Sequence, residues 1–246
     1  MNEEHRKVFK QLQEFNTAIK DNDIKKVKEL FSVDDCPDIN LEIITVAPIL
    51  LAAQEGYWDL VGELFELGAD VDVRTTPHKW SLLQECVLRA PLYLIDSVAD
   101  YCNINAQNLK GETALMTSIR IGNKEAFNCL INKEKINLKI EDIKKNNILH
   151  YAALNEEHEL FMSILEKEST SLLFKKNEDG FTPIELIKDE SFKLSLPVQL
   201  ENINKVKKEI ELPETKVKVD LEVSKENKNQ EEVKVNSLSS IKKKIK

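Results

Sequence analysis

Glycine and proline are scarce in this chain, with 6 and 7 residues in 246, about 5% together where average usage gives about 12%. The shortage excludes collagenous and glycine-linker classes. It also disfavours folds of many short strands, which place glycine and proline at each tight corner. A helical chain is expected. Long hydrophobic runs are missing as well: no stretch approaches the roughly 18 to 20 apolar residues of a membrane-spanning helix. The first ten residues are polar and of mixed charge, without the apolar core of a secretory signal. A soluble, cytoplasmic protein without a transmembrane segment is the expectation.

Cysteine is sparse too. Cys36, Cys86, Cys102 and Cys129 form no CxxC pair and no dense framework, so they read as reduced, mostly buried thiols in a cytosol. Positive charge is the minority sign, with a formal net charge of −8. The last 46 residues carry 12 Lys against 9 acidic residues, which leaves the first 200 with 23 basic and 34 acidic residues, a net −11. Such a body repels phosphate backbones and lacks the counterion release that drives nucleic-acid binding, so no nucleic-acid partner is expected for it.

The residues of common catalytic and cofactor sites are not assembled. The six glycines, at 56, 62, 68, 111, 122 and 180, form no GxG and no GxxxxGK[ST], so neither common phosphate-cradling loop is present. His5, His78, His150 and His158 lie in no HExxH or Cys/His ligand spacing, and no zinc site is expected. Cys86 and Cys129 lie among helix-packing positions, and Glu156-Glu157 reads as a solvated face. The expectation is no catalytic residue, no cofactor, no metal and no small-molecule substrate.

What the chain does have is a repeat. Ile49, Ala52 and Ala53 make one helical stripe, and Leu60-Val61 with Leu64-Phe65 make another, separated by Gly56 and closed by Gly68-Ala69-Asp70-Val71-Asp72. Gly68 suits a helix C-terminus that needs a left-handed residue. The marker position recurs as Phe15, Ile49, Leu83, Leu115, Leu149 and Ile184, at intervals of 32 to 35 residues. Three residues after each marker stands a small side chain, Ala18, Ala52, Cys86, Ser118 or Ala152, where two helices must approach closely; the sixth copy has Ile187 instead.

With Ala47-Pro48-Ile49, Gly111-Glu112-Thr113-Ala114-Leu115, Ile148-Leu149-His150-Tyr151-Ala152-Ala153 and Asp179-Gly180-Phe181-Thr182-Pro183-Ile184, the chain resembles the ankyrin-repeat family over about residues 10 to 190. The resemblance implies an all-α solenoid of helix-turn-helix units joined by short hairpin loops. It divides the chain into an N-terminal capping repeat (1–40), repeats (41–192), a C-terminal capping helix (193–212) and a charged, disordered tail (213–246). Copy three departs from the pattern at Lys79, in place of the turn glycine, and at Pro91. Copy six is expected to keep its turn and first helix, with Pro197 interrupting the second.

By resemblance, a partner binds the concave face made by hairpin tips and the ends of the inner helices. Register assigns to the tips Ile43, Ile44 and Val46 in copy two, residues 77, 78 and 80 in copy three, 109, 110 and 112 in copy four, 143, 144 and 146 in copy five, and 178, 179 and 181 in copy six. Copies three and four stand out, because Trp80, Leu88, Arg89, Lys110, Glu112, Arg120 and Ile121 would combine an aromatic, aliphatics and two of the four arginines on one surface. The alternative at this point is that Trp80 folds inward and the arginines pair with nearby carboxylates. A monomeric, non-catalytic adaptor for another protein or an extended peptide is expected. The excess of Lys over Arg, with frequent Asn and Ile, suggests AT-rich coding, and with it an effector of an intracellular microbe acting in a host cytosol. Other readings are an inhibitor or regulatory subunit in its own cell, or membrane or nucleic-acid tethering through the basic end Ile241–Lys246.

Overall fold

The computed structural model describes residues 3–32, 39–40, 46–168 and 170–211. The tail from 213, together with Cys36, Ile43 and Ile44, lies outside the described residues. The chain divides into two units, Met1–Leu194 and Ser195–Lys246. The first unit is a stack of helix pairs: α1 (Glu3–Lys20) with α2 (Ile24–Phe31), α3 (Pro48–Glu55) with α4 (Trp58–Glu66), α5 (Leu82–Arg89) with α6 (Leu92–Tyr101), α7 (Ala114–Ile121) with α8 (Lys124–Ile131), and α9 (Ile148–Leu154) with α10 (His158–Lys167). One antiparallel bridge, Arg74 to Ser81, and no strand occurs among the described residues. The architecture is an all-α repeat solenoid.

Stacking follows from the small-residue positions. Ala18, Ala52, Cys86, Ser118 and Ala152 are all buried, and the first helices α1, α3, α5, α7 and α9 pack successively against one another. Leu60, Leu64, Phe127, Leu130, Phe161 and Ile164 on the second helices are fully buried, each contributing on the order of 1.5–3 kcal/mol before the entropy of ordering is counted.

Two ladders of polar groups hold successive copies in register. On the hairpin edge, each tip donates a backbone N–H to the tip before it: Leu109 to the His78 carbonyl (3.0 Å), Ile143 to Lys110 (3.0 Å) and Glu178 to Lys144 (2.8 Å). At the loops that end each copy, an Asx side chain accepts from the next loop: Asn40 Oδ1 from Asp70 N (2.7 Å), Asp72 Oδ1 from Asn103 N (2.6 Å) and Asn105 Oδ1 from Asn137 N (2.9 Å). The buried apolar residues between these polar ones, Ile39, Val71, Ile104 and Leu138, anchor the loops to the core.

Glycine is scarce, but the backbone geometry it would serve is kept. The left-handed residue between the paired helices is Gly56 or Gly122 in two copies, and Asn22 (φ 53°) or Glu156 (φ 58°) in two others. In the hairpins, Lys79 (φ 54°) and Lys145 (φ 60°) stand where Gly111 and Gly180 do. Copy three thus keeps the left-handed hairpin residue although Lys79 replaces glycine, but its two helices are joined through extended Ala90 in place of a left-handed residue. Its hairpin is one residue longer, with a cis Thr76–Pro77 bond, yet His78 still joins the ladder. Pro91 serves as the N-cap of α6, where a missing N–H costs nothing.

Copy six differs from expectation in both helices. Its first helix is a single 3₁₀ turn, Ile184–Leu186, ending at buried Ile187, which occupies the place of the small residue. A long side chain there leaves no room for a full helix to approach its neighbour. Pro197 does not interrupt the second helix: α11 runs from Glu190 to Glu211 with Pro197 inside it. In the first unit, the Phe192 ring of α11 stacks on His158 at 4.1 Å and meets Phe161 edge-on at 5.8 Å. In the second unit, Gln199 Nε2 donates to Ser195 Oγ at 2.9 Å.

Candidate interaction face

The hairpin tips and the C-terminal ends of the first helices form one continuous edge, because the tips are hydrogen-bonded in sequence and the helices are stacked. A buried polar frame fixes it from below. Gln84, fully buried, accepts from Ser81 N through Oε1 (3.1 Å) and donates from Nε2 to the Glu112 carbonyl (3.0 Å). His150 has the equivalent role in copy five. Its Nδ1 accepts from Asn147 N (3.1 Å), so Nε2 carries the proton and donates to the Phe181 carbonyl (3.1 Å). The neutral imidazole is the competent form, and burial lowers the His150 pKa below its ordinary value.

This has a pH consequence. A His whose folded pKa lies below its unfolded value takes up a proton more readily in the unfolded chain, so stability falls as pH drops below about 6.5. We expect His150→Gln to fold, since Gln84 makes the equivalent pair of bonds. Denaturation midpoints at neutral and mildly acidic pH should then show a smaller acid loss than wild type, and equal losses would contradict the role.

Of the residues singled out by sequence, Trp80 is half-buried, and the Arg120 guanidinium carbon lies 6.0 Å from its ring centroid, within cation–π range. Arg120 Nε is 3.1 Å from Glu112 Oε1. Glu112 is thus not the surface group that register suggested. It is buried, its Oε2 accepts from Asn108 Nδ2 (2.9 Å), and the Tyr151 hydroxyl lies 3.5 Å from Oε1. The reason is electrostatic: a carboxylate at this depth persists only with a cation and hydrogen bonds around it. Tyr151 donates its hydroxyl to Asp142 Oδ2 (2.9 Å), and burial, followed by the nearby Asp142 and Glu112, raises its pKa. The chain Trp80–Arg120–Glu112–Tyr151–Asp142 therefore ties copies three, four and five together. Arg120 is paired with a carboxylate, as the alternative reading expected of the arginines, and its side chain remains 38% exposed.

Arg89 is exposed, with Nη2 donating to the Gln54 carbonyl (3.3 Å), and Leu88 is half-buried. Lys110 and Ile121 are exposed. The residues singled out by sequence lie in copies three and four, while tip positions placed by register alone continue this edge. Leu109 is 52% exposed, Ile143 62%, Leu154 47% and Phe181 48%. Each occupies a tip or helix-end register position; the available signal is a large apolar residue where a loop should be polar.

The described thiols are poorly suited to nucleophilic chemistry. Burial pushes Cys86 and Cys102 up to about 12 and Cys129 up to about 11, the last also donating from Sγ to Asp96 Oδ1 (3.3 Å). Among the described residues no cluster of three or more His, Cys, Asp or Glu could hold a metal ion, and no helix is long and apolar enough to cross a membrane.

Residues 83–176 match a family model described as ankyrin repeats, with three copies. A crystal structure described as EF0377, an ankyrin repeat protein, is similar in fold with a TM-score of 0.61 at 16% identity, covering 78% of this chain and 96% of that one. No curated protein sequence matches.

Proposed function

The chain is an ankyrin-repeat protein, and from that premise we propose that it is a non-catalytic scaffold that binds a partner protein along its hairpin edge. Ankyrin repeats generally mediate protein–protein interaction. The observation that carries the reading is the row of exposed apolar side chains at Leu109, Ile121, Ile143, Leu154 and Phe181, flanked by Trp80 and Arg120. Apolar groups grouped at one edge, next to an aromatic and an arginine, match the make-up of interface hot spots. The raised thiol pKa values support a non-catalytic role. The described cysteines Cys86, Cys102 and Cys129 are free, which supports a reducing, cytosolic setting.

The test is comparative capture of partners by the full chain and two variants. Leu109→Asp with Ile143→Asp places charge on the edge, whereas Tyr93→Asp places it on α6, where Tyr93 is 59% exposed. A partner retained by Tyr93→Asp and lost by the edge variant supports the reading. A partner lost only by Tyr93→Asp would overturn it.

A further inference from the structure

We infer that the occupant of the hairpin edge is an extended peptide in which acidic residues alternate with apolar ones. This rests on the reading that the edge binds protein, and it names the chemistry of the partner.

The first 200 residues carry a net charge of −11, yet the tips of copies three to five present the opposite sign. Lys79, Lys110, Lys144 and Lys145 are exposed there, and none has a described carboxylate within ion-pair distance of its ammonium group. Several lysines elsewhere on the same unit are paired: Lys28 with Glu63, Lys124 with Glu157, Lys133 with Asp96 and Asp100, Lys175 with Glu141 and Lys188 with Glu156. In an acidic body, four lysines on successive hydrogen-bonded tips, with no described carboxylate within ion-pair distance, are a local reversal of the field.

Two carboxylates within the row, Glu112 and Asp142, are committed inward. Glu112 is buried under Arg120. Asp142 accepts from Lys144 N (2.8 Å) and Asn146 N (2.8 Å) through Oδ1, and from Asn146 Nδ2 (3.0 Å) and Tyr151 (2.9 Å) through Oδ2. Arg120 is held by Glu112 through Nε and lies over Trp80, while its Nη groups have no hydrogen bond among the described residues. A guanidinium fixed at Nε, with both Nη groups free, is preorganised for an incoming carboxylate.

The apolar residues interleave with these charges. Leu109 adjoins Lys110 and Ile143 adjoins Lys144, and successive tips are hydrogen-bonded neighbours. An extended peptide, whose side chains alternate with a period of two, can meet both classes at once. The row reverses at copy six, where exposed Glu178 and Asp179 replace the Leu-Lys pair. That acidic end, with the acidic body behind it, disfavours a continuous polyanion such as nucleic acid. It also fixes a direction, with the acidic stretch of the peptide over copies three to five.

The experiment is selection of short random peptides displayed on phage against the full chain. Expected is enrichment of Asp or Glu alternating with Leu, Ile, Val or Phe. A synthetic peptide of that pattern should bind more weakly as salt rises, and about tenfold more weakly to Lys110→Glu with Lys144→Glu, a variant of exposed residues that should melt like wild type. Enrichment of neutral or Lys/Arg-rich peptides that lose affinity for Leu109→Asp with Ile143→Asp would overturn the acidic partner and leave the edge as the binding site. No enrichment over an unrelated control protein, or peptides indifferent to both variants, would overturn both. Tighter binding of a mixed-sequence single-stranded oligonucleotide, lost in the lysine variant, would reassign the edge to nucleic acid.

Discussion

Leu130→Asp is expected to remove the cooperative unfolding of the central repeats. Leu130 is fully buried on α8 beside Ala126, Phe127 and Ile131, and α8 packs against both α7 and α6. The substitution forfeits about 1.5–3 kcal/mol of apolar burial and buries a polar group without a partner, at a further cost of about 1–3 kcal/mol. Against a total stability on the order of 5–15 kcal/mol this is a large fraction. The effect is not confined to one copy. Solenoid stability is approximately a sum of repeat and nearest-neighbour terms, so weakening copy four separates the copies on either side of it. Thermal unfolding followed by circular dichroism should show a midpoint lower by about 10 °C or more, or a transition split in two. Asn128→Asp, on an exposed position of the same helix, should leave the midpoint nearly unchanged. An unaltered transition in Leu130→Asp would contradict the packing described above.

Gly111→Ala is the second large effect, and it tests the hairpin ladder. Gly111 has φ 77°, a left-handed conformation that costs an L-residue about 1–2 kcal/mol. A Cβ at this position would also lie 2.7 Å from Ile143 N and 2.8 Å from Asp142 Cα, both backbone atoms of the next tip. The backbone must therefore shift, and the Ile143 N–H bond to the Lys110 carbonyl shifts with it. Gly122 provides the control, because it has a similar φ of 73° and nothing within 4 Å of the added carbon. Gly122→Ala should cost only the conformational strain. Chemical denaturation should show Gly111→Ala clearly less stable than Gly122→Ala, and equal losses would mean that the tips are not in close contact.

These two sites illustrate what can be read from the sequence. The stack is legible because its helices repeat a marker and a small residue at a fixed interval, and periodicity reports which face of a helix is buried. Hairpin tips have no such period. Leu109 and Ile143 occupy tip positions that register supplies, but burial of a loop residue depends on what the neighbouring copy places beside it. Glu112 shows the reverse problem. A charged residue at a tip reads as exposed until Arg120, one helix away in the same copy, and Tyr151, in the next, are found around it. The glycine shortage likewise predicts altered turns, whereas Lys79, Lys145, Asn22 and Glu156 adopt the left-handed conformation without glycine. The pattern of substitution is visible in the chain; the geometry is held by backbone hydrogen bonds within each turn, from Asn22 to Ile19, Lys79 to Thr75, Lys145 to Asp142 and Glu156 to Ala153. In copy six, Ile187 is an exception in a small-residue position, and the lost helix is its structural consequence.

The edge is the centre of the functional account, and the affinity of a purified partner for three forms of the full chain tests it most directly. Leu109→Asp with Ile143→Asp should weaken binding by about a hundredfold, the loss of two apolar contacts buried in the complex, while Tyr93→Asp binds as wild type and all three share one thermal midpoint. Equal affinities for wild type and the edge variant, with the fold intact, would contradict it.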